Sequence, residues 1–210
     1  GRVFGTSSLL GAIKIVTKKE KTSNVSAHID GGSYGYLSGG ASLNLSSGKW
    51  TNRVSGSYTR SDGYSRSKAG KLNGDFYGGK AFYQGGYEDS DIKVDWHAGL
   101  SSRDFGSNTF YGTGSDNQFE HTFKTYTAVQ AETKRGKFHL KPSIYWNRNM
   151  DRFEWFRGHD GKKPEGLSYG VPYNYHRTDV YGVNLNSYFD WAFGRTAISA
   201  EPVSYTHLRA

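Results

Sequence analysis

The sequence has no cysteine, one methionine and four prolines in 210 residues, and no uninterrupted apolar stretch long enough to cross a bilayer as a helix. Each absence removes a class of protein. Without cysteine there is no disulfide framework, no zinc ribbon and no thiol nucleophile, although the compartment stays open. The most apolar run, Leu9 to Val16, is short and contains Lys14, whereas a membrane helix needs about 20 apolar residues. The N-terminus carries no basic, apolar and small-residue leader pattern, so an exported protein is expected here only as an internal piece of a longer chain. Helix formers are sparse as well, which disfavours a helical domain.

What is present is glycine and aromatic side chains: 28 Gly, 16 Tyr, 12 Phe and 5 Trp, with hydrophobic residues at 35%. The mean hydropathy of -0.74 is too polar for a helical membrane protein, and the aromatic content is too high for a disordered chain. The resolution is alternation. From Val25, one face reads Val25, Ala27, Ile29 and the other Ser26, His28, Asp30. Ile92, Val94, Trp96, Ala98 and Leu100 oppose Asp91, Lys93, Asp95 and His97. The same period of two runs from Leu37, Trp50, Tyr77, Phe123, Phe138 and Tyr181, and describes strands with one greasy and one wet face. Pro142 interrupts one of these segments, where a ladder donor is lost and an irregularity is expected.

The connectors sort by length. Ser46–Lys49, Glu88–Asp91, Lys134–Lys137 and Phe193–Arg195 are short and turn-like. They alternate with the long connectors Ser61–Asp75, Asp104–Gln118 and Asn149–Thr178; Ser33–Tyr36 is the short member on the long side. Short turns at one rim and long polar loops at the other predict an all-β, antiparallel up-and-down meander forming part of a transmembrane β-barrel wall, open or incompletely closed. Two rivals stand beside it: a passive porin-like or structural outer-membrane barrel, and a soluble carbohydrate-binding β-sandwich.

Residues 1–20 differ in kind. The stretch GAIKIVTKK, with Gly11, Ala12, Ile13, Ile15, Thr17 and Lys18, resembles the last plug-domain strand of TonB-dependent outer-membrane receptors, with Lys14 where that family commonly has Asn. The segments Asp95–Gly112 and Lys141–Gly158 are similar to early barrel strands and extracellular loops of such receptors, Bacteroidetes-like in particular. The resemblance implies a plugged barrel of about twenty-two strands. Residues 1–20 are then the end of the plug domain, and residues 21–200 are the N-terminal part of the barrel, eight strands and the start of a ninth at Thr196. Residues 201–210, EPVSYTHLRA, break the alternation and resemble a translated sequencing adapter, so a non-native tail is expected there.

By the same resemblance the function is TonB-energised uptake of a scarce nutrient, siderophore, vitamin or oligosaccharide, across the outer membrane, with no enzymatic step and no cofactor. The implied partners are membrane lipid and lipopolysaccharide, the TonB complex through an N-terminal segment outside this sequence, a small nutrient ligand and a surface lipoprotein.

The remaining residue patterns are read against that background. The seven His never fall in HExxH or another ligand spacing, Ser115, Asp116, Asn117 and Glu120 lack the spacing of a calcium loop, and no GxSxG elbow occurs, so neither a metal nor a catalytic residue is assigned. The glycine cluster Gly31–Gly40 is read as turn geometry, since no helix follows it to make a phosphate cradle. The formal charge of +8 lies in turns and loops and is not interleaved with aromatics as a nucleic-acid groove requires, so no nucleic acid is expected. The cluster Arg66–Lys71 is a candidate contact for lipopolysaccharide phosphates. Among aromatics, Trp50 and Trp191 beside short turns, and Trp146 and Trp155 beside a long loop, are assigned to two membrane-interface girdles. Phe110, Tyr111, Tyr169, Tyr173 and Tyr175 are candidate ligand contacts from loops.

Overall fold

The structure, a computed structural model, describes residues 22–64, 73–107, 117–158 and 173–209. Strand follows strand, each hydrogen-bonded to the next: β1 (Asn24–Gly31), β2 (Leu37–Ser47), β3 (Trp50–Ser61), β4 (Phe76–Glu88), β5 (Ile92–Gly106), β6 (Phe119–Thr133), β7 (Phe138–Glu154) and β8 (Tyr173–Trp191). Two further strands, β9 (Gly194–Ala200) and β10 (Val203–Arg209), both pair with β8. Every pairing between these strands is antiparallel, giving one open up-and-down sheet, with a parallel bridge, Asn117–Phe156, outside them.

The register explains the split ninth strand. Leu185 faces Ala200 and Gly182 faces Val203, so β9 and β10 keep one register and are two halves of a single strand. The interruption at Glu201–Pro202 is where the sequence alternation breaks, because Pro202 has no N–H to donate; its carbonyl still accepts from Val183 N at 3.1 Å. Beyond it, residues 203–209 resume pairing with β8. Pro142 acts in the same way. The β6–β7 ladder ends at Gln130↔Ser143, one residue before it, and the Thr133 hydroxyl then accepts the Leu140 N–H at 2.8 Å in place of a ladder bond.

Turn chemistry sets the short rim. Gly48 (φ 56°) and Gly136 (φ 87°) supply left-handed backbone in the β2–β3 and β6–β7 turns. At the opposite rim, the Ser33–Tyr36 turn places both Tyr34 (φ 59°) and Gly35 (φ 63°) in that region, as a two-residue hairpin of type I′ demands.

The longest expected connector is shorter than the alternation indicates. Residues 149–154 and 173–178, placed in a loop by the sequence, pair as strand ends of β7 and β8. Their alternation is invisible because Arg148 and Arg152 on one side, around Met150, and Asn149 and Asp151 on the other leave both faces mostly polar.

The sheet has no core of its own. Among the described residues the buried hydrophobic side chain is Phe119, while more than twenty large apolar side chains, from Val25 to Leu208, stand exposed.

Candidate functional site

Directly opposed residues share a face, so the register assigns every strand side chain to one of two surfaces. One is largely apolar over a limited height, with Asn52, Thr125, Thr127 and Ser187 the polar members within it. On β3 it runs from Trp50 to Tyr58 and then meets Arg60; on β5 from Ile92 to Leu100, then Ser102 and Asp104. On β6 it runs from Ala131 to Phe123, then His121; on β7 from Phe138 to Trp146, then Arg148; on β8 from Trp191 to Tyr181, then Asp179 and Arg177. Counted along the chain, these stretches are nine residues on β3, β5, β6 and β7 and eleven on β8.

The band is oblique to the hydrogen-bonded rows. Followed through Gly79, Ser102, Phe123 and Met150, the row of Tyr58 reaches β8 at Arg177, four residues from the band's edge at Tyr181. The row of Trp50, through Tyr87, Val94 and Ala131 and carried past the end of the β6–β7 ladder in the same register to Pro142, reaches Leu185, six residues from the other edge at Trp191. A drift of four to six residues over the five steps from β3 to β8, with about 3.3 Å per residue and about 4.8 Å per strand, tilts the band by roughly 30 to 40° from the rows.

Aromatic rings mark both edges. At the short-turn edge Trp50 packs against Tyr87 with centroids 4.7 Å apart and against Trp96 at 6.2 Å. Trp96 Nε1 donates to Tyr83 Oη at 3.2 Å, which donates to Asn52 Oδ1 at 2.9 Å. Trp191 ends β8, its Nε1 donating to Thr196 Oγ1 at 3.2 Å and its ring 6.0 Å from Phe193. Trp146 differs from its expected position: it is at the middle of β7, because the strand continues to Glu154, and is not beside a loop. It nevertheless stands at the other edge of the band, stacked on Tyr181 at 6.5 Å with Nε1 donating to Asp179 Oδ1 at 3.0 Å. Trp155 follows β7 directly, 5.4 Å edge-on from Phe153.

Of the candidate ligand contacts, Phe110, Tyr111 and Tyr169 lie outside the described residues, as does the cluster at 66–71. Tyr173 and Tyr175 are placed in a strand, β8, and not in the loop expected for them. Tyr175 opposes Arg152 on the face that carries the band, 42% exposed.

Above the band sits a charge cluster that the sequence order hides. Asp179, nearly inaccessible at 3%, accepts from Arg148 Nε at 2.7 Å and from Arg177 Nε at 2.9 Å. The Arg148 guanidinium also covers the Trp146 ring at 5.1 Å. Spacing could not reveal it, since Arg148 and Asp179 meet only through the β7–β8 register.

Both rims are tied together. At the long-loop rim, the Arg157 guanidinium holds both Asp75 oxygens at 2.9 and 2.8 Å and lies 3.9 Å over Phe119. Asn73 Nδ2 donates to the Gln118 carbonyl at 2.7 Å. At the short rim, Asp89 accepts the N–H groups of Asp91 and Ile92 at 2.9 Å, the Tyr87 hydroxyl at 2.8 Å and Lys49 at 3.4 Å. The backbone donors first, then Tyr87 and Lys49, hold its carboxyl well below the usual range. Lys49 is raised, by the neighbouring Tyr87 oxygen and by Asp89. Lys134 Nζ bridges from the next turn to Glu88 Oε1 and the Asp89 carbonyl, each at 2.9 Å.

The opposite face is mainly polar, with Phe82, Phe105 and Phe153 among its apolar members. Near the short rim it alternates in sign across strands, Glu88, Lys93, Glu132, Lys141, with Lys141 Nζ donating to Glu132 Oε2 at 3.1 Å. Hydroxyl pairs Ser26–Ser42 (2.8 Å) and Ser38–Thr59 (2.9 Å) cover β1 to β3.

Comparison with family models, curated proteins and solved structures returned no match.

Proposed function

We propose that this chain is part of the wall of a transmembrane β-barrel in an outer membrane, and that the barrel is a TonB-dependent receptor for nutrient uptake. The observation that carries the first half is the oblique apolar band. A strand crossing a bilayer at about 45° needs about 9–11 residues, and barrel strands tilt by about 35–45°. The band matches in length, drift and aromatic edges, and it faces no covering layer among the described residues. A soluble β-sandwich would bury such a face against a second sheet. The polar face then lines water, and the edges at β1 and β9–β10 join further strands so that no ladder group meets lipid.

The second half rests on the resemblance of GAIKIVTKK to a plug strand and on the segregation of short and long connectors. It assigns the chain no covalent chemistry. The long-loop rim faces outward, toward lipopolysaccharide and ligand, and TonB acts through a segment outside this sequence.

A charge placed in the band separates the readings by sign. Ile144, 56% exposed and flanked by Val129 and Val183, becomes lipid-facing in a barrel. Ile144→Arg should then cost about 2–4 kcal/mol of folding stability in lipid vesicles, as Arg does near a bilayer midplane. Asn147→Arg, on the polar face, should cost little. Equal small effects from the two substitutions would remove the membrane reading. Deleting residues 1–20 in the full-length protein should open a passive ion conductance if they belong to a plug; unchanged conductance would favour the porin-like alternative.

A further inference from the structure

The polar face carries a second arrangement that neither the band nor the rims use. Three strands bring Phe82, Gly99 and Tyr126 into one hydrogen-bonded row, and the two rings meet over the glycine with centroids 6.3 Å apart. The adjacent row toward the long-loop rim reads Ser57, Lys80, Ser101, Lys124 and Asn149. Arg103 follows Ser101 by two residues on the same face. Lys80 and Lys124 are thus two strands apart, about 10 Å, with Ser101 between them and Arg103 above.

The two rows, extended from β2 to β7 through Gly40 and Ser42 on one side and Asn149 and Asn147 on the other, contain no carboxylate. The next row toward the long-loop rim carries Arg103 and, two strands away, Asp151, which is held by His176 at 2.9 Å, and the Glu120 carboxylate on the same face acts electrostatically on Lys124. A recess of about 540 Å³, lined by Arg53, Ser55, Lys80, Phe82, Ser101 and Tyr126, opens here, with Lys124 just outside its wall.

From this juxtaposition we propose that the polar face binds a sugar carrying an oxyanion, a phosphate or sulfate ester. The oxyanion is held by Lys80 and Lys124, and the sugar's C–H face lies on the Phe82–Tyr126 platform. Ammonium groups on either side of Ser101 form strong charge-assisted bonds to an oxyanion. Aromatic rings supply a flat apolar surface for the ring, and Ser55, Ser57 and Ser101 supply hydroxyl partners. A bare inorganic anion would leave the aromatic platform without a function. The inference rests on the polar face being in water, as the barrel reading requires.

Isothermal titration of the full-length protein, folded in detergent micelles, tests it with three probes: glucose 6-phosphate, glucose and inorganic phosphate. Glucose 6-phosphate should bind at least tenfold more tightly than either of the others. The Lys80→Gln/Lys124→Gln variant should weaken it at least tenfold with the far-ultraviolet spectrum unchanged, and Tyr126→Leu should weaken it several-fold without altering phosphate binding. Inorganic phosphate binding as tightly as the ester would overturn the sugar component, and equal binding by wild type and the double Lys variant would overturn the site. The Ile144→Arg measurement is independent of both, so failure of the membrane reading is recognised separately.

Discussion

The guanidinium of Arg157 lies 3.9 Å over the ring of Phe119 while both of its bonds to Asp75 span 82 positions of sequence. One side chain thereby joins the bases of three long connectors, since Asp75 precedes β4, Phe119 opens β6 and Arg157 follows β7. Arg157→Ala uncovers the one buried hydrophobic side chain of the described residues and leaves Asp75 without its bidentate partner. We expect a loss of about 1–3 kcal/mol in denaturant unfolding, from the cation–π contact and a charged hydrogen-bond pair. Proteolysis should shift to the connectors around residues 62–75 and 107–118, with the strands intact.

Asp89 makes the short rim sensitive to acid. Its folded carboxyl is held below the unfolded value, so its contribution is fully present above about pH 4 and is lost as pH falls through the depressed value. Asp89→Asn should lower stability at pH 7 and flatten the acid limb of a stability–pH curve. An acid limb identical to wild type would contradict the assignment. Lys49 has the opposite sign: with its folded value raised, its contribution persists below about pH 10 and is lost as pH rises beyond it.

The indole of Trp96 covers Gly85 on the adjacent strand so closely that a Cβ there would stand 2.2 Å from Cε2. Gly85→Val must push the indole away, breaking its bond to Tyr83 and its contact with Trp50. A cost of about 1–3 kcal/mol is expected, as for other overpacked sites. The double variant Gly85→Val/Trp96→Leu should recover part of it. A double-mutant cycle with no coupling would show that the two residues act independently.

Arg148 and Asp179 offer a test of the band's upper edge. Arg148→Leu would carry apolar surface one step beyond Trp146 while removing the bidentate partner of an almost inaccessible carboxylate. Destabilisation of about 1–3 kcal/mol is expected for loss of this charged pair, since Asp179 keeps the Arg177 and Trp146 donors. Arg148→Leu/Asp179→Leu should recover most of that loss, which chemical denaturation in micelles would measure.

How far the sequence carried the fold depended on contrast between the faces. Within the band, Ile92 to Leu100 alternates so cleanly that strand, face and approximate limits could be read directly. Above the band both faces are polar, the period fades, and Asn149–Glu154 and Tyr173–Thr178 passed for loop although they are paired. Trp146, read from the sequence as a neighbour of a loop, stands in mid-strand at the band's edge, because β7 runs eight residues beyond it to Glu154.

The sequence by itself determined the class of element, the order of the strands, the side of each short and long connector and which residues share a strand face, because these follow from a period of two and from turn chemistry along one chain. Tertiary structure decided what meets across strands. The drift of the band against the hydrogen-bonded rows, the closure of Arg148 on Asp179, the meeting of Phe82 and Tyr126 over Gly99 and the gathering of Lys80 and Lys124 around Ser101 all depend on register. Register is a relation between segments, set by ladder pairing and turn length together, and no single segment contains it.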